Sequence, residues 1–318
     1  MRVGLVTPSF PCERRVALLP CDIDHTPDTL LVESGFGEMM GIPDSAYRAK
    51  GCAIVSRERV FRESEVVFCL KLLQPEDYAF IREKQTIIGW VHPHGSGERF
   101  MREVAGPKQL TVVDLDSISP RVYPPGEASF AASISPGFLW WNSYMAGVAA
   151  VDHALASYGL LPNANTSVAV LGAGNVAQGA YAALSRHGAQ ARMFRRRTMA
   201  EFYETINLYD IVVNGIEIAD GDKPILGFEQ HRLRPGSLVV DAAADANRAI
   251  VGTHYTTLDN PVYQRNGVWF YVVNNTPSVY YRPVSEWLSR ELWKHVFRSS
   301  LKRLLWQDCN ETDKKQFA

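Results

Sequence analysis

The run Val168-Ala169-Val170-Leu171-Gly172-Ala173-Gly174-Asn175-Val176-Ala177-Gln178-Gly179 constrains the fold most strongly. Its apolar start reads as a buried parallel strand. Two glycines then turn the chain into a helix-compatible run, Ala180 to Arg186, which stops at Gly188. A strand, a Gly-x-Gly turn and a helix in that order form a dinucleotide-binding unit. Gly172 allows the tight turn, and Gly174 lets a pyrophosphate approach the backbone. Ala177 lets the helix pack close to the strand, while the helix N-terminus faces the phosphate charge. A second strand, Ala191 to Phe194, follows as that unit requires.

An NAD site carries an Asp or Glu for the ribose hydroxyls at the end of this second strand, ~20 residues past the glycines. The chain reads Phe194-Arg195-Arg196-Arg197-Thr198 there, without a carboxylate. Arginines suit a 2′-phosphate, which they grip with paired donors, so the run points to NADP rather than NAD. The plainer reading is a solvated basic loop leading into a helix capped by Thr198.

The 318 residues, 46% hydrophobic and 21% charged, suit about two globular domains. A net charge of −1 gives no case for nucleic acid or a membrane as partner. No apolar run approaches the ~18 residues of a membrane span, and no signal-like segment precedes Arg2 to Val6. Five cysteines, Cys12, Cys21, Cys52, Cys69 and Cys309, are odd in number and widely spaced. They suggest reduced thiols in the cytoplasm, without zinc spacing.

The first third alternates two kinds of run. Val3 to Val6, Leu30 to Val32, Val66 to Leu70, Thr86 to Val91 and Leu110 to Leu115 are strand-like. Asp44 to Lys50, Glu76 to Glu83 and Glu98 to Val104 are helix-like. That alternation predicts α/β architecture with a mainly parallel sheet. Pro120 to Pro136 reads as a crossing loop, and Phe138 to Tyr158 as a long helix, apolar nearly all round and so buried. Further strands fall at Ile211 to Asn214, Leu238 to Ala242 and Val268 to Val273. Val284 to Leu305 reads as a helix that returns to the first domain, and the tail from Asp308 reads as polar and frayed. The expected architecture is two doubly wound, Rossmann-like domains with a cleft between them, the first discontinuous. Residues 1–136 and 278–318 would form the substrate domain, and 137–277 the NADP-binding domain.

Several residues stand where ligand-facing loops sit in such sheets. Arg14 and Arg15 follow the first strand, and arginine binds carboxylates with two parallel hydrogen bonds. Taken alone, they read more plainly as surface arginines in a loop. Lys71 ends an apolar strand, placed to polarise a carbonyl or hold a carboxylate, or else an ordinary strand-end lysine. His92 and His94, in Gly89-Trp90-Val91-His92-Pro93-His94-Gly95-Ser96-Gly97, offer proton transfer near neutral pH or plain loop hydrogen bonds. No acidic or cysteine cluster beside them supports a metal. Asp241 and Asp245 end another apolar strand, where carboxylates are paired or functional. Asn274-Asn275-Thr276-Pro277 lies at the exit from the nucleotide domain.

Arg15 in Glu-Arg-Arg-Val-Ala-Leu, Lys71, His92, Gly-Ala-Gly, Asp245 and Asn-x-Thr-Pro, in this order, resemble the alanine dehydrogenase and proton-translocating transhydrogenase superfamily. Phe10 to Pro20, Gly51 to Arg57, Gly89 to Gly97, Val112 to Ser117, Gly172 to Gly179, Asn214 to Ile218 and Asn275 to Ser278 are more similar to its N5-(carboxyethyl)ornithine synthase family. The resemblance implies reductive condensation of pyruvate with the side-chain amine of ornithine or lysine, using NADPH. Arg15 and Lys71 would hold the 2-oxo acid, His92 would transfer protons, and Asp245 would be the active-site aspartate. Gly172, Gly174, Asn175, Val176, Arg195, Arg196, Arg197, Asn214, Gly215 and Asn275 would contact the cofactor. The arginine run departs from alanine dehydrogenases, which carry an acidic residue there. His94 has no role in the superfamily.

The amine is poorly legible. Ammonia would make the chain an alanine dehydrogenase, whereas a diamino acid needs a site for its own carboxylate and α-amino group, with Arg14, Trp90, Asn142, Tyr144 and Arg282 as candidates. A non-catalytic NADPH-binding module is the alternative of another class, and joint retention of Arg15, Lys71, His92 and Asp245 weighs against it. The family is commonly oligomeric, so a homo-oligomer is expected.

Overall fold

The computed structural model describes residues 1–117, 119–123, 129–130, 136–218, 221–299 and 301. The apolar runs of the first third become β1 (Arg2–Val6), β2 (Thr29–Glu33), β3 (Ala53–Val55), β4 (Val66–Lys71), β5 (Thr86–Trp90) and β6 (Thr111–Asp114). They pair in parallel in the order β3-β2-β1-β4-β5-β6. β7 (Arg121–Tyr123) and β8 (Ser129–Phe130) extend the edge antiparallel. The order reverses between β1 and β4, which makes the C-terminal ends of those two strands the switch point of the sheet.

α1 (Asp44–Arg48), α2 (Arg57–Glu63) and α3 (Glu98–Phe100) lie between these strands. The third continues as a π-helical turn, Met101–Ala105, so the expected helix from Glu98 is shorter in its regular part. The helix expected over Glu76 to Glu83 reduces to a 3₁₀ turn, Pro75–Asp77. Tertiary contacts override propensity there. The buried carboxylate of Asp77 accepts from Arg57 Nε at 2.8 Å and from Ser9 Oγ at 2.5 Å, which anchors the segment as a turn.

The second sheet contains β9 (Ser167–Leu171), β10 (Gln190–Phe194), β11 (Ile211–Asn214), β12 (Leu238–Asp241), β13 (Val262–Arg265) and β14 (Val268–Tyr271). Its order is β10-β9-β11-β12-β14-β13, parallel except for the final hairpin. α4 (Pro136–Tyr158) and α5 (Asn175–Arg186) cover one face, where Val148, Val151 and Leu155 join Val168, Val170 and Val213. α6 (Met199–Thr205) covers the other with Phe202, against Phe194, Val212, Val239 and Phe270. Burial on both faces explains why these strands read as continuous apolar runs. α4 is less enclosed than its composition predicts, because Trp140 is 44% exposed.

α7 (Tyr281–Leu292) runs into a π-helical turn, Trp293–Phe297. Ser285 Oγ accepts from the Val16 amide at 2.9 Å, and Ser289 Oγ accepts from the Leu19 amide at 2.7 Å. Phe297 sets its ring edge-on to Phe68 of β4, with centroids 5.3 Å apart. Leu288 and Leu292 are fully buried, each contributing about 1.5–3 kcal/mol. The C-terminal segment thereby completes the first domain, which is discontinuous as expected. The chain divides into two compact units, one of Met1–Leu139 with the segment from Ser285, the other of Trp140–Val284. Cys309, the end of the expected C-terminal helix and most of the Pro120 to Pro136 loop lie outside the described residues.

Candidate active site

In the first unit, β1, β4, β5 and β6 are parallel neighbours, so their C-terminal ends share one edge. The loop after β1 supplies Arg15, which is 5% exposed. Its guanidinium donates through Nε and Nη2 to the two carboxylate oxygens of Glu13, each at 2.7 Å. Glu13 Oε1 also accepts from the Arg15 amide at 3.0 Å. Arg15 is therefore not a surface residue, whereas Arg14 beside it is exposed.

Lys71 ends β4 next to a register shift between Phe68 and Lys71. Gly89 of β5 accommodates this irregularity, since a Cβ there would collide with the Cys69 carbonyl oxygen. Lys71 is partly buried, its ammonium 5.4 Å from the centroid of the Phe10 ring. Burial pushes its pKa down to about 8, and the Arg15 charge pushes the same way, against Glu13, Asp116 and Asp114.

His92 follows β5. Its φ of 50° lies in the left-handed region, uncommon for a side chain of this size. Asp114, at the end of β6, explains how it is held. Its Oδ1 accepts from the Val91 amide at 2.9 Å and the His92 amide at 3.2 Å. The His92 carbonyl accepts from Gly95 and Gly97, each at 3.0 Å. The ring Nδ1 lies 3.1 Å from Asp116 Oδ2. Burial, then the neighbouring Asp116, raises the Asp114 pKa. His94 is a loop histidine, its Nε2 3.3 Å from the Tyr123 hydroxyl. Among the described residues no cluster of three or more His, Cys, Asp or Glu forms a metal site.

The first unit thus gathers a buried guanidinium, a lysine of lowered pKa and a histidine backed by carboxylates. Such a set can hold a small anion and move a proton beside it. Glu13, Asp114 and Asp116 were not singled out in the sequence. Asp114 and Asp116 carried the signal used for Asp241, a carboxylate ending an apolar strand. Glu13 stands in the Glu-Arg-Arg run, where nothing in the sequence marks it as buried.

In the second unit the sheet order reverses between β9 and β11. Gly172 adopts φ 107° and donates its amide to Phe194 O at 2.8 Å, tying the glycine turn to the end of β10. Gly174 caps α5, and a Cβ built on it would meet nothing within 4 Å. That open space, above the N-terminus of a 12-residue helix whose first residues are Asn175 and Val176, fits a pyrophosphate. Ala177 packs against Gly215, where a Cβ would lie 2.8 Å from the Ala177 Cα.

Arg195, Arg196 and Arg197 are exposed just past β10. Thr198 does not cap α6 with its side chain. Its Oγ1 accepts instead from the Arg195 amide at 2.9 Å, which fixes the arginine turn. Asn214 is buried at the end of β11 and donates from Nδ2 to Asp241 Oδ1 at 2.9 Å. Burial pushes Asp241 up to about 6, opposed by the Asn214 hydrogen bond. Asp245, partly buried, ion-pairs with Arg248 at 3.3 Å. Asn275 is buried after β14 and accepts the Ser278 amide at 2.9 Å. These predicted cofactor residues and Asp245 all follow C-terminal strand ends of one sheet. The amine-site candidates divide: Arg14 and Trp90 belong to the first unit, Asn142, Tyr144 and Arg282 to the second. Trp90 is committed to packing, stacked on Phe138 with centroids 5.5 Å apart.

The sequence matches two family models. Residues 5–122 match the alanine dehydrogenase/PNT N-terminal domain, and residues 188–315 the alanine dehydrogenase/PNT C-terminal domain. A protein of Lactococcus lactis subsp. lactis named N(5)-(carboxyethyl)ornithine synthase is 51% identical over 306 residues, 96% of this chain and 97% of that protein. A protein of the same name from Clostridium botulinum is 44% identical over 302 residues, 95% of each chain. Among solved structures, an L-alanine dehydrogenase superposes with a TM-score of 0.72 at 19% identity, covering 92% of this chain and 88% of its own. That similarity shows a shared fold.

Proposed function

The chain belongs to the N(5)-(carboxyethyl)ornithine synthase family of alanine dehydrogenase/PNT oxidoreductases, and on that premise we propose that it condenses pyruvate with the side-chain amine of ornithine, or of lysine, and reduces the imine with NADPH. The observation that carries this reading is the convergence of Arg15, Lys71 and His92 at the strand ends of the first sheet.

Arg15 binds the pyruvate carboxylate and Lys71 takes the carbonyl oxygen, with His92 beside it. His92 removes a proton from the substrate ammonium, which frees the amine to attack the carbonyl. It returns that proton to the hydroxyl of the adduct, which departs as water and leaves a protonated imine. Bound NADPH supplies the hydride for this imine. In the second unit Gly172, Gly174, Asn175 and Val176 would hold the pyrophosphate, Arg195, Arg196 and Arg197 the 2′-phosphate, and Asn214, Gly215, Asn275 and Asp245 would serve the nicotinamide side. The absence of an acidic residue after β10 supports NADP over NAD. We place the reaction in the cytoplasm and the enzyme in a homo-oligomer. Mass spectrometry of a reaction containing pyruvate, NADPH and both ornithine and ammonium tests this reading. It predicts a secondary amine bearing a carboxyethyl group on the ornithine side chain, and formation of alanine in its place, with ammonia as the amine, contradicts it.

A further inference from the structure

We propose that Asp116 is a positioning residue that fixes the tautomer of His92, keeping the proton on Nδ1 and leaving Nε2 as the atom that exchanges protons with substrate. The role in catalysis rests on the proton transfer assigned to His92 above.

The main chain of His92 is held on both sides, its amide by Asp114 and its carbonyl by the amides of Gly95 and Gly97. Those bonds keep the backbone at φ 50°. The ring then has only its side-chain rotations left, and Asp116 takes them up through the contact between Nδ1 and Oδ2 at 3.1 Å. An ionised carboxylate oxygen 3.1 Å from Nδ1 repels a lone pair there and stabilises a proton, so the neutral ring is biased towards Nδ1–H with the lone pair left on Nε2. The two aspartates lie two residues apart past the same strand, one setting the backbone and the other the ring. Among the described residues, the ionisable groups around the imidazole are Asp114 and Asp116, with Lys71 beside them and Arg15 and Glu13 next to Lys71. The His92 ring is 31% exposed, so it is held without being sealed from substrate.

The test is nitrogen-15 NMR of histidine-labelled full-length protein, at a pH where imidazole is neutral, with and without Asp116→Ala. The unaltered protein is expected to show His92 protonated at Nδ1, and the variant to lose that state. In steady-state kinetics Asp116→Ala is expected to lower kcat about 10- to 100-fold, with KM for pyruvate nearly unchanged. The solvent deuterium isotope effect should rise and the acidic limb of the pH profile should move, while Asp116→Glu restores most of the rate. An Nε2-protonated His92 in the unaltered protein overturns the proposal. So does a variant that loses thermal stability and pyruvate affinity while its tautomer stays the same. The NMR measurement needs no turnover, so an Nδ1-protonated ring in a protein that makes no carboxyethyl product would overturn the reaction and leave the Asp116 assignment standing.

Discussion

Glu13 grips Arg15 through two hydrogen bonds of 2.7 Å, both side chains withdrawn from solvent. A buried guanidinium needs this compensation, and the pair presents a cation in a fixed orientation at the end of β1. Glu13→Gln keeps the shape and removes the charge. It is expected to destabilise the fold by about 3 kcal/mol, within the range for breaking a buried pair, and to raise KM for pyruvate. Denaturant unfolding and pyruvate titration of the rate measure both.

Lys71 titrates near 8 in the folded chain, below the ~10.4 of an unfolded lysine. The folded state therefore disfavours the charged form. Lys71 costs stability below about pH 8, and the cost fades as pH rises from there towards the unfolded value. Two outcomes follow. KM for pyruvate is expected to rise above about pH 8, as the cation is lost. Lys71→Met is expected to raise the unfolding temperature at neutral pH by a few degrees while nearly abolishing turnover. Loss of both stability and activity would contradict this account.

Asp241 is the mirror case. Burial raises its folded value to about 6, above the unfolded ~3.9. Its ionisation thus opposes folding, and stability is lost as pH rises from about 4 through 6. Asp241→Asn should flatten that part of the stability profile. Asn214→Ala, which removes the 2.9 Å hydrogen bond to the carboxylate, should steepen it and cost about 1–3 kcal/mol at neutral pH. Thermal unfolding at several pH values separates the two variants.

The turn Arg195–Arg197 is exposed and held by Thr198, and the proposed function gives it the 2′-phosphate of NADPH. Replacing all three arginines with glutamine is expected to raise KM for NADPH about 10-fold or more, the effect of losing charge-assisted contacts, and to leave KM for NADH within about twofold. Equal loss with both cofactors would assign the run to general electrostatics.

The fold was legible where burial leaves a pattern. β4, β9, β11 and β12 are continuous apolar runs because both faces are covered, and the glycine turn follows from steric demands at Gly172. Lys71 and His92 could be found because each ends such a run. What the sequence hid was cross-strand. Asp114 and Asp116 act on His92 only because β6 lies beside β5, and sheet order is not written in local pattern. Arg14 and Arg15 are chemically identical neighbours, yet one is exposed and the other buried on Glu13, a difference made by the loop's path. The helix expected at Glu76 to Glu83 failed because Asp77 is held by Arg57 and Ser9, which come from elsewhere in the chain.

The central claim is tested most directly by the rate of NADPH oxidation with pyruvate and, in separate reactions, ornithine, lysine and ammonia, each repeated with NADH. The account predicts turnover with ornithine or lysine, NADPH preferred over NADH, and little with ammonia. Turnover with ammonia and NADH alone would contradict it, both in the amine and in the reading of Arg195, Arg196 and Arg197.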